Sequence, residues 1–424
     1  MAKANGKATA NGFRFVDADG HVLEHPTRYA ELAPKKYKDR IWHIETRADG
    51  SEWLRFDGQE RPAQFMASAG VAGMTPEKKK AAFEGKLKYT ETRPAGFNPK
   101  PRLKDMTTDH IDQSVLYPTM MLGLVSIKDP DFALVQCQVY NDWLQEYCSA
   151  DRKRLFGVAA IPQQDLTRAV KEIHRAKETG HVGVFLRPNP LKEGQFFDDP
   201  FYDPLWRACE ETGLAVGLHP FLNPDMPGAC RALHLQHRDS TMALQGNQKG
   251  TKEWRNQVHL GNVLFTQAIA NPFDMMLSMT YLLAGGVCER FPKLKLLFLE
   301  ANGGWIVPWL ERIDHHAETF SWDVKSLKMK PSEYFKRQCW ISFDADESTL
   351  PFTANSPLVG AERIIWASDY PHPDAKYPGV TEELAENCAS LTPKQKARIF
   401  GENASELYGL PKYQKQGRGN KTHG

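Results

Sequence analysis

The chain has 424 residues, of which 41% are hydrophobic and 25% charged, and 54 Lys+Arg against 52 Asp+Glu leave a formal charge of +2. This is the balance of a globular chain with a sizeable core, and it supplies no strong field for nucleic acid or an anionic membrane. No apolar run approaches the ~18 residues of a membrane span, and Met1 to Lys7 carries positive charge without the apolar stretch of a signal peptide. Collagen, coiled coil, disulfide scaffold and disordered chain are excluded, and a cytoplasmic enzyme is expected. The seven cysteines, at 137, 148, 209, 230, 288, 339 and 388, form no Cys-x-x-Cys and read as buried, reduced residues.

In chain order, residues 1–12 read as a loose N-terminal tail and 411–424 as a loose basic one, with Lys412, Lys415, Arg418 and Lys421. Eight short apolar runs between them predict strands: Phe13–Ala18, Ser114–Tyr117, Phe156–Ile161, Val182–Leu186, Leu214–His219, Leu294–Glu300, Gln338–Phe343 and Arg363–Ser368. Helical spacing predicts helices over Leu166–Thr179, Asp203–Thr212, Pro272–Phe291, Trp305–Thr319, 379–390 and 393–408. Strands that alternate with helices require crossover connections, hence a parallel sheet. The length allows about three domains or one large barrel, and eight units closing on themselves make a (β/α)8 TIM barrel over 13–410; a doubly wound open sheet is the alternative. Two insertions interrupt the pattern. After strand 1, residues 41–105 contain a hairpin (Ile41–Thr46 and Trp53–Phe56 around Asp49-Gly50) and a Lys-rich helical piece near 76–88. After strand 5, residues 221–271 contain Pro224, Pro227 and several His. Long insertions at strand ends cover active sites, so a lid is expected.

Barrel enzymes carry their functional groups at the C-terminal ends of the strands. Here those ends are Asp17-Ala18-Asp19-Gly20-His21, His219, Glu300 and Asp369. Alternation along strand 1 puts Asp19 and His21 on one side with Gly20 opposite. Each group alone is a common strand-end residue. Imidazoles and carboxylates converging from separate strands suit a divalent cation such as Zn, Mn or Fe.

Asp19-Gly20-His21, Leu218-His219-Pro220, Phe298 to Trp305 (FLEANGGW) and Ala367 to His372 (ASDYPH) resemble motifs of the amidohydrolase-related family. The likeness is to the branch that contains aminocarboxymuconate semialdehyde decarboxylase and the dihydroxybenzoate decarboxylases. Leu186 to Pro190, Asp199 to Trp206 and the closing Ile399 to Leu410 fit the same branch, so the resemblance runs from about 13 to 410. It implies that Asp19, His21, His219 and Asp369 are metal ligands, with Asp-x-His where the superfamily usually has His-x-His. The strand ending at Arg187 has no Lys, so the carboxylated lysine of dinuclear hydrolases is absent and one metal is favoured. Glu300 stands where many mononuclear members have a His; with His372 it could bind a second metal, the alternative being a hydrogen-bonded carboxylate and a loop histidine.

The resemblance implies an enzyme acting on a small carboxylic acid, first by non-oxidative decarboxylation, with the metal chelating the substrate and Asp369 moving the proton. Arg187 is a candidate clamp for a substrate carboxylate or else a structural ion pair, and Trp305 and Phe221 are candidate pocket walls. The alternatives are hydrolysis by metal-bound hydroxide, a dinuclear iron or iron–manganese oxygenase, and a non-catalytic subunit. No nucleic-acid or membrane partner is expected, and the family implies a homodimer or higher oligomer.

Overall fold

The computed structural model describes residues 12–191, 194–221, 264 and 266–413. Residues 1–11 and 414–424 of the expected tails, and nearly all of the second insertion, lie outside the described residues. The strands are β1 (Val16–His21), β2 (His43–Thr46), β3 (Glu52–Phe56), β4 (Gln59–Pro62), β5 (Gln113–Tyr117), β6 (Leu155–Ala160), β7 (Gly183–Leu186), β8 (Ala215–Leu218), β9 (Leu296–Phe298), β10 (Cys339–Asp344) and β11 (Ile364–Ala367). The main helices are α1 (Pro99–Thr108), α2 (Pro130–Cys148), α3 (Leu166–Glu178), α4 (Asp203–Thr212), α5 (Asn271–Leu283) and α6 (Ile306–Thr319).

Eight strands pair in the order β1-β5-β6-β7-β8-β9-β10-β11, every pair parallel. The ends of this sheet meet where Asp369 N–H donates to the Asp19 carbonyl (3.2 Å) and His21 N–H to the Tyr370 carbonyl (2.8 Å). The fold is the expected (β/α)8 barrel. Its strands are buried on both faces, which is why they read as unbroken apolar runs. Local chemistry fixes the helices: Asp129 caps α2 through Asp131 N–H (3.0 Å), Asp165 caps α3 through Arg168 N–H (2.9 Å), and Gly213 closes α4 at φ 67°. Gly217 on β8 leaves room for Tyr117 inside the barrel, since a Cβ there would lie 2.2 Å from the Tyr117 hydroxyl. The six described cysteines are buried and free. Among the described residues no helix is long and apolar enough to cross a membrane.

The structure corrects three element readings. β1 begins and ends three residues later than predicted, because its polar end Asp19-Gly20-His21 still pairs with β5, Gly20 opposite Leu116 and His21 opposite Tyr117. The helix read over 272–291 is two helices, Asn271–Leu283 and Val287–Arg290, broken where Gly286 takes φ 82°. The helix read over 393–408 includes a wide turn at Arg398–Glu402. In the first insertion β2 and β3 form the expected antiparallel hairpin, extended by β4, whose Gln-Glu-Arg-Pro sequence carries no apolar alternation.

Candidate metal centre

The strand ends bring Asp19, His21, His219, Glu300 and Asp369 together. His21 is fully buried and its Nδ1 lies 2.7 Å from the Pro118 carbonyl; His219 is equally buried, with Nδ1 2.7 Å from the Pro220 carbonyl. A carbonyl only accepts, so both Nδ1 atoms carry the proton and both Nε2 atoms present a lone pair to the interior. Among the described residues neither Nε2 is hydrogen-bonded, nor is Asp19 Oδ1, and all three atoms are buried.

The distances define the donor set. His21 Nε2 is 3.5 Å from Asp19 Oδ1 and 3.2 Å from Asp369 Oδ1; His219 Nε2 is 3.7 Å from Asp19 Oδ2 and 3.2 Å from Glu300 Oε2. Imidazole lone pairs facing carboxylate oxygens repel unless a cation lies among them, so this set fits a divalent metal. Asp19, His21 and His219 form one group whose ligand atoms lie within 4.8 Å of one another, and His21, Glu300, Asp369 and His372 form a second.

Electrostatics follow the same logic. Burial pushes the Asp19 and Asp369 carboxyls well above the usual carboxylate range, reinforced in both by the charge of Glu300. Burial, then His372 and His219, holds His21 well below the usual imidazole value. Burial also lowers His219, but Asp19 and Glu300 together outweigh it and leave that ring raised. For Glu300, burial raises the carboxyl, and His219 beside it brings the net shift down.

The two rim carboxylates sit on constrained backbone, with φ 47° at Glu300 and 51° at Asp369, a region that costs a non-glycine residue about 1–3 kcal/mol. Other side chains hold them there. Gln267 Nε2 donates to Glu300 Oε1 at 3.3 Å, and Asn271 Nδ2 donates to the Gln267 amide oxygen (2.6 Å) and the Glu300 carbonyl (3.2 Å). His372 Nδ1 meets Asp369 Oδ1 at 2.6 Å, while its Nε2 lies 3.0 Å from Thr119 Oγ1. The Thr119 hydroxyl donates to the Val22 carbonyl at 2.7 Å, so its oxygen accepts from His372 Nε2–H. Both nitrogens of His372 are therefore engaged.

Above this floor lies a cavity of about 550 Å³, within the range of small-molecule sites. Glu300, Asp369 and His372 form its base; Trp42, Leu54, Phe65 and Met66 of the first insertion and Met120, Leu122 and Leu124 after β5 form its apolar walls. The first insertion thus roofs the site. The cavity also contains Arg61 of β4, which hydrogen-bonds Gln59 and forms no ion pair among the described residues. Phe221 lines the cavity as expected. Trp305 does not: its indole N–H is turned to the carbonyls of Ala301 (3.0 Å) and Asn302 (2.9 Å). Arg187 is fully buried, its guanidinium 5.9 Å from the Phe221 ring, and is not among the residues bounding the cavity. Thr119, Gln267 and Arg61 escaped the sequence reading, since nothing in a lone Thr, Gln or Arg sets it apart.

A parallel barrel whose strand ends gather imidazoles and carboxylates at the base of an apolar-walled cavity defines the class of metal-dependent barrel enzymes. Residues 16–410 match the amidohydrolase family, and the chain belongs to it, in the branch of the aminocarboxymuconate semialdehyde and resorcylate decarboxylases. The chain is 26% identical over 338 residues to the 2-amino-3-carboxymuconate-6-semialdehyde decarboxylase of Dictyostelium discoideum, covering 78% of this chain and 82% of that one. It shares its fold with an amidohydrolase from Mycobacterium avium subsp. paratuberculosis (TM-score 0.68, 20% identity, 94% of this chain and 100% of that one). It shares it also with a 5-carboxyvanillate decarboxylase from Novosphingobium aromaticivorans, solved with bound manganese and a nitrobenzoic acid (TM-score 0.62, 19% identity, 97% and 100%).

Proposed function

We propose that the protein is a metal-dependent carboxy-lyase that removes carbon dioxide from a small, unsaturated or aromatic carboxylic acid without redox chemistry. The observation that carries this reading is the set of buried, unsatisfied, inward-facing donors, His21 Nε2, His219 Nε2 and Asp19 Oδ1, at the foot of an apolar cavity. Asp19, His21, His219 and Asp369 would hold the cation. Manganese is the first choice, given the manganese bound in the similar carboxyvanillate decarboxylase, with zinc or iron as alternatives. When bound, a divalent cation supplies the positive charge that fixes a carboxylate and an adjacent oxygen of the substrate.

The chain's own residues do the rest. Apolar walls exclude water from the reacting carbon, and Arg61, which forms no ion pair among the described residues, offers its guanidinium to a second anionic group of the substrate. Asp369, in contact with His372, delivers a proton to the carbon that bears the carboxylate; the carbon–carbon bond breaks, its electron pair restores the unsaturated system, and carbon dioxide leaves. Glu300, held by Gln267, keeps a carboxylate oxygen 3.2 Å from His219 Nε2 and adds negative charge beside the cation. With both nitrogens of His372 occupied, one cation per chain is the reading we adopt. The proximity of His21, Glu300, Asp369 and His372 favours a second reading, a two-metal site with oxygen chemistry. The chain would work in the cytoplasm as a homodimer or higher oligomer. Metal analysis of the purified protein, followed by carbon dioxide release and oxygen uptake on a panel of small hydroxy- and amino-substituted acids, tests these readings. One metal and carbon dioxide without oxygen consumption is expected; two irons with oxygen uptake would overturn the proposal.

A further inference from the structure

Three of the four candidate ligands, Asp19, His21 and Asp369, stand on the seam where β1 meets the segment after β11. A guanidinium from outside the barrel fills the back of that seam. Arg102, on α1 at the end of the first insertion, is 1% exposed. Its Nη1 donates to the carbonyls of His21 (2.8 Å) and Tyr370 (3.1 Å), and its Nη2 donates to Ser114 Oγ (3.1 Å) and lies 3.7 Å from Asp17 Oδ2. Asp17, fully buried, accepts from Ser114 Oγ (2.7 Å) and from the N–H (3.0 Å) and hydroxyl (2.9 Å) of Ser368.

Gly20 is what lets the guanidinium in. A Cβ at that position would lie 2.4 Å from Arg102 Nη2 and 2.5 Å from Asp17 Oδ2. The residue between the two ligands of β1 therefore has a physical requirement of its own. One turn along α1, Asp105 takes both prongs of Arg93 (3.0 Å each) and accepts from the hydroxyls of Tyr370 and Tyr377, the latter at 2.8 Å. The insertion that roofs the cavity is thus bolted to the loop that carries Asp369 and His372.

We propose that Arg102, backed by Asp17, is a positioning residue for the metal centre: it sets the spacing of Asp19 and His21 from Asp369 and couples docking of the insertion to cation affinity. Arg102 lies outside the cavity lining and touches no candidate ligand atom, so it acts through the peptide groups it holds. A planar fork can span two carbonyls, a hydroxyl and a carboxylate at once, whereas a lysine ammonium on its flexible stem cannot hold that geometry. Partners that orient ligands from behind typically govern affinity by 10–100-fold.

The inference rests on the metal-site reading and not on the reaction, so the test uses Mn(II) alone. The full chain is titrated with Mn(II), free ion is followed by electron paramagnetic resonance, and thermal unfolding is recorded in parallel. Arg102→Lys is expected to weaken Mn(II) binding at least about 10-fold. Ser114→Ala, which removes one hydroxyl from the same network, is expected to weaken it roughly 5-fold. Asn403→Ala is the structural control: Asn403 holds the carbonyls of Ala361 (2.7 Å) and Ile364 (2.6 Å) at the opposite end of β11, and its loss should lower the melting temperature without moving Mn(II) affinity. If Arg102→Lys does not fold, Ser114→Ala decides. Binding within twofold of the native chain in the folded seam variants, or an equal loss in the control, overturns the proposal. Failure of the native chain itself to bind Mn(II) or Zn(II) would instead count against the metal-site reading.

Discussion

The two histidines and the two rim carboxylates of the site are held by opposite means. His21 and His219 end barrel strands, and each is fixed by one hydrogen bond from Nδ1 to the carbonyl of a proline, 2.7 Å in both cases. Glu300 and Asp369 sit past their strands on left-handed backbone and depend on Gln267, Asn271, His372 and Thr119. The histidines are therefore placed by the barrel itself, and the carboxylates by side chains recruited from outside it. Two rigid imidazoles that hold the ion, beside rim carboxylates of which Asp369 both holds the ion and moves the proton, is the division of labour this difference points to.

Removing a histidine should have the largest effect, because no neighbour can replace a strand-end imidazole. His219→Ala is expected to leave the purified protein without stoichiometric metal, by elemental analysis, and to reduce turnover more than about 10³-fold. Asp369→Asn comes next, with kcat down about 10²–10⁴-fold by loss of the proton-transfer group. Retained turnover in that variant would remove Asp369 from the mechanism. The support of the carboxylates should give graded losses. His372→Phe and Thr119→Val are each expected to lower kcat by about 10–100-fold with metal stoichiometry unchanged. If His372 were a ligand of a second ion, the same substitution would halve the metal content.

The smallest effect concerns Glu24, which sits between the two regimes. Its buried carboxylate accepts the N–H groups of Thr119 (3.2 Å), Met120 (3.0 Å) and Met121 (2.9 Å), so it fixes the segment that carries Thr119 to His372. Burial raises its pKa from 4.5 to about 7, against the opposing pull of those N–H groups. A carboxyl raised in the folded state stabilises the fold below pH 4.5 and loses that contribution as the pH climbs through about 7. The native chain should lose unfolding free energy over this window relative to Glu24→Gln, measured by urea unfolding at several pH values. Parallel pH profiles for the two proteins would show that Glu24 titrates as it does in the unfolded chain.

The same contrast explains what the sequence disclosed. Barrel strands buried on both faces read as apolar runs, so all eight were visible, and the groups at their ends, Asp19, His21, His219, Glu300 and Asp369, could be picked out by position alone. The end of β1 was misplaced because Asp19, Gly20 and His21 carry no apolar side chain, and only their pairing with β5 extends the strand through them. β4 has no apolar alternation, which hid Arg61. Thr119 and Gln267 act through single hydrogen bonds that no spacing encodes. Arg187 was marked out because it ends a strand; the structure buries it with its guanidinium 5.9 Å from the ring of Phe221.

The central claim is that a cation held by Asp19, His21, His219 and Asp369 serves decarboxylation. Its most direct test is carbon dioxide release by the Mn(II)-loaded protein from small hydroxy- and amino-substituted aromatic or muconic-type acids, with product identified by mass. The account predicts one carbon dioxide per product lighter by that mass, with no oxygen consumed and no turnover in His219→Ala. Turnover with retention of the carboxyl group, by hydrolysis or oxygen insertion, would contradict it.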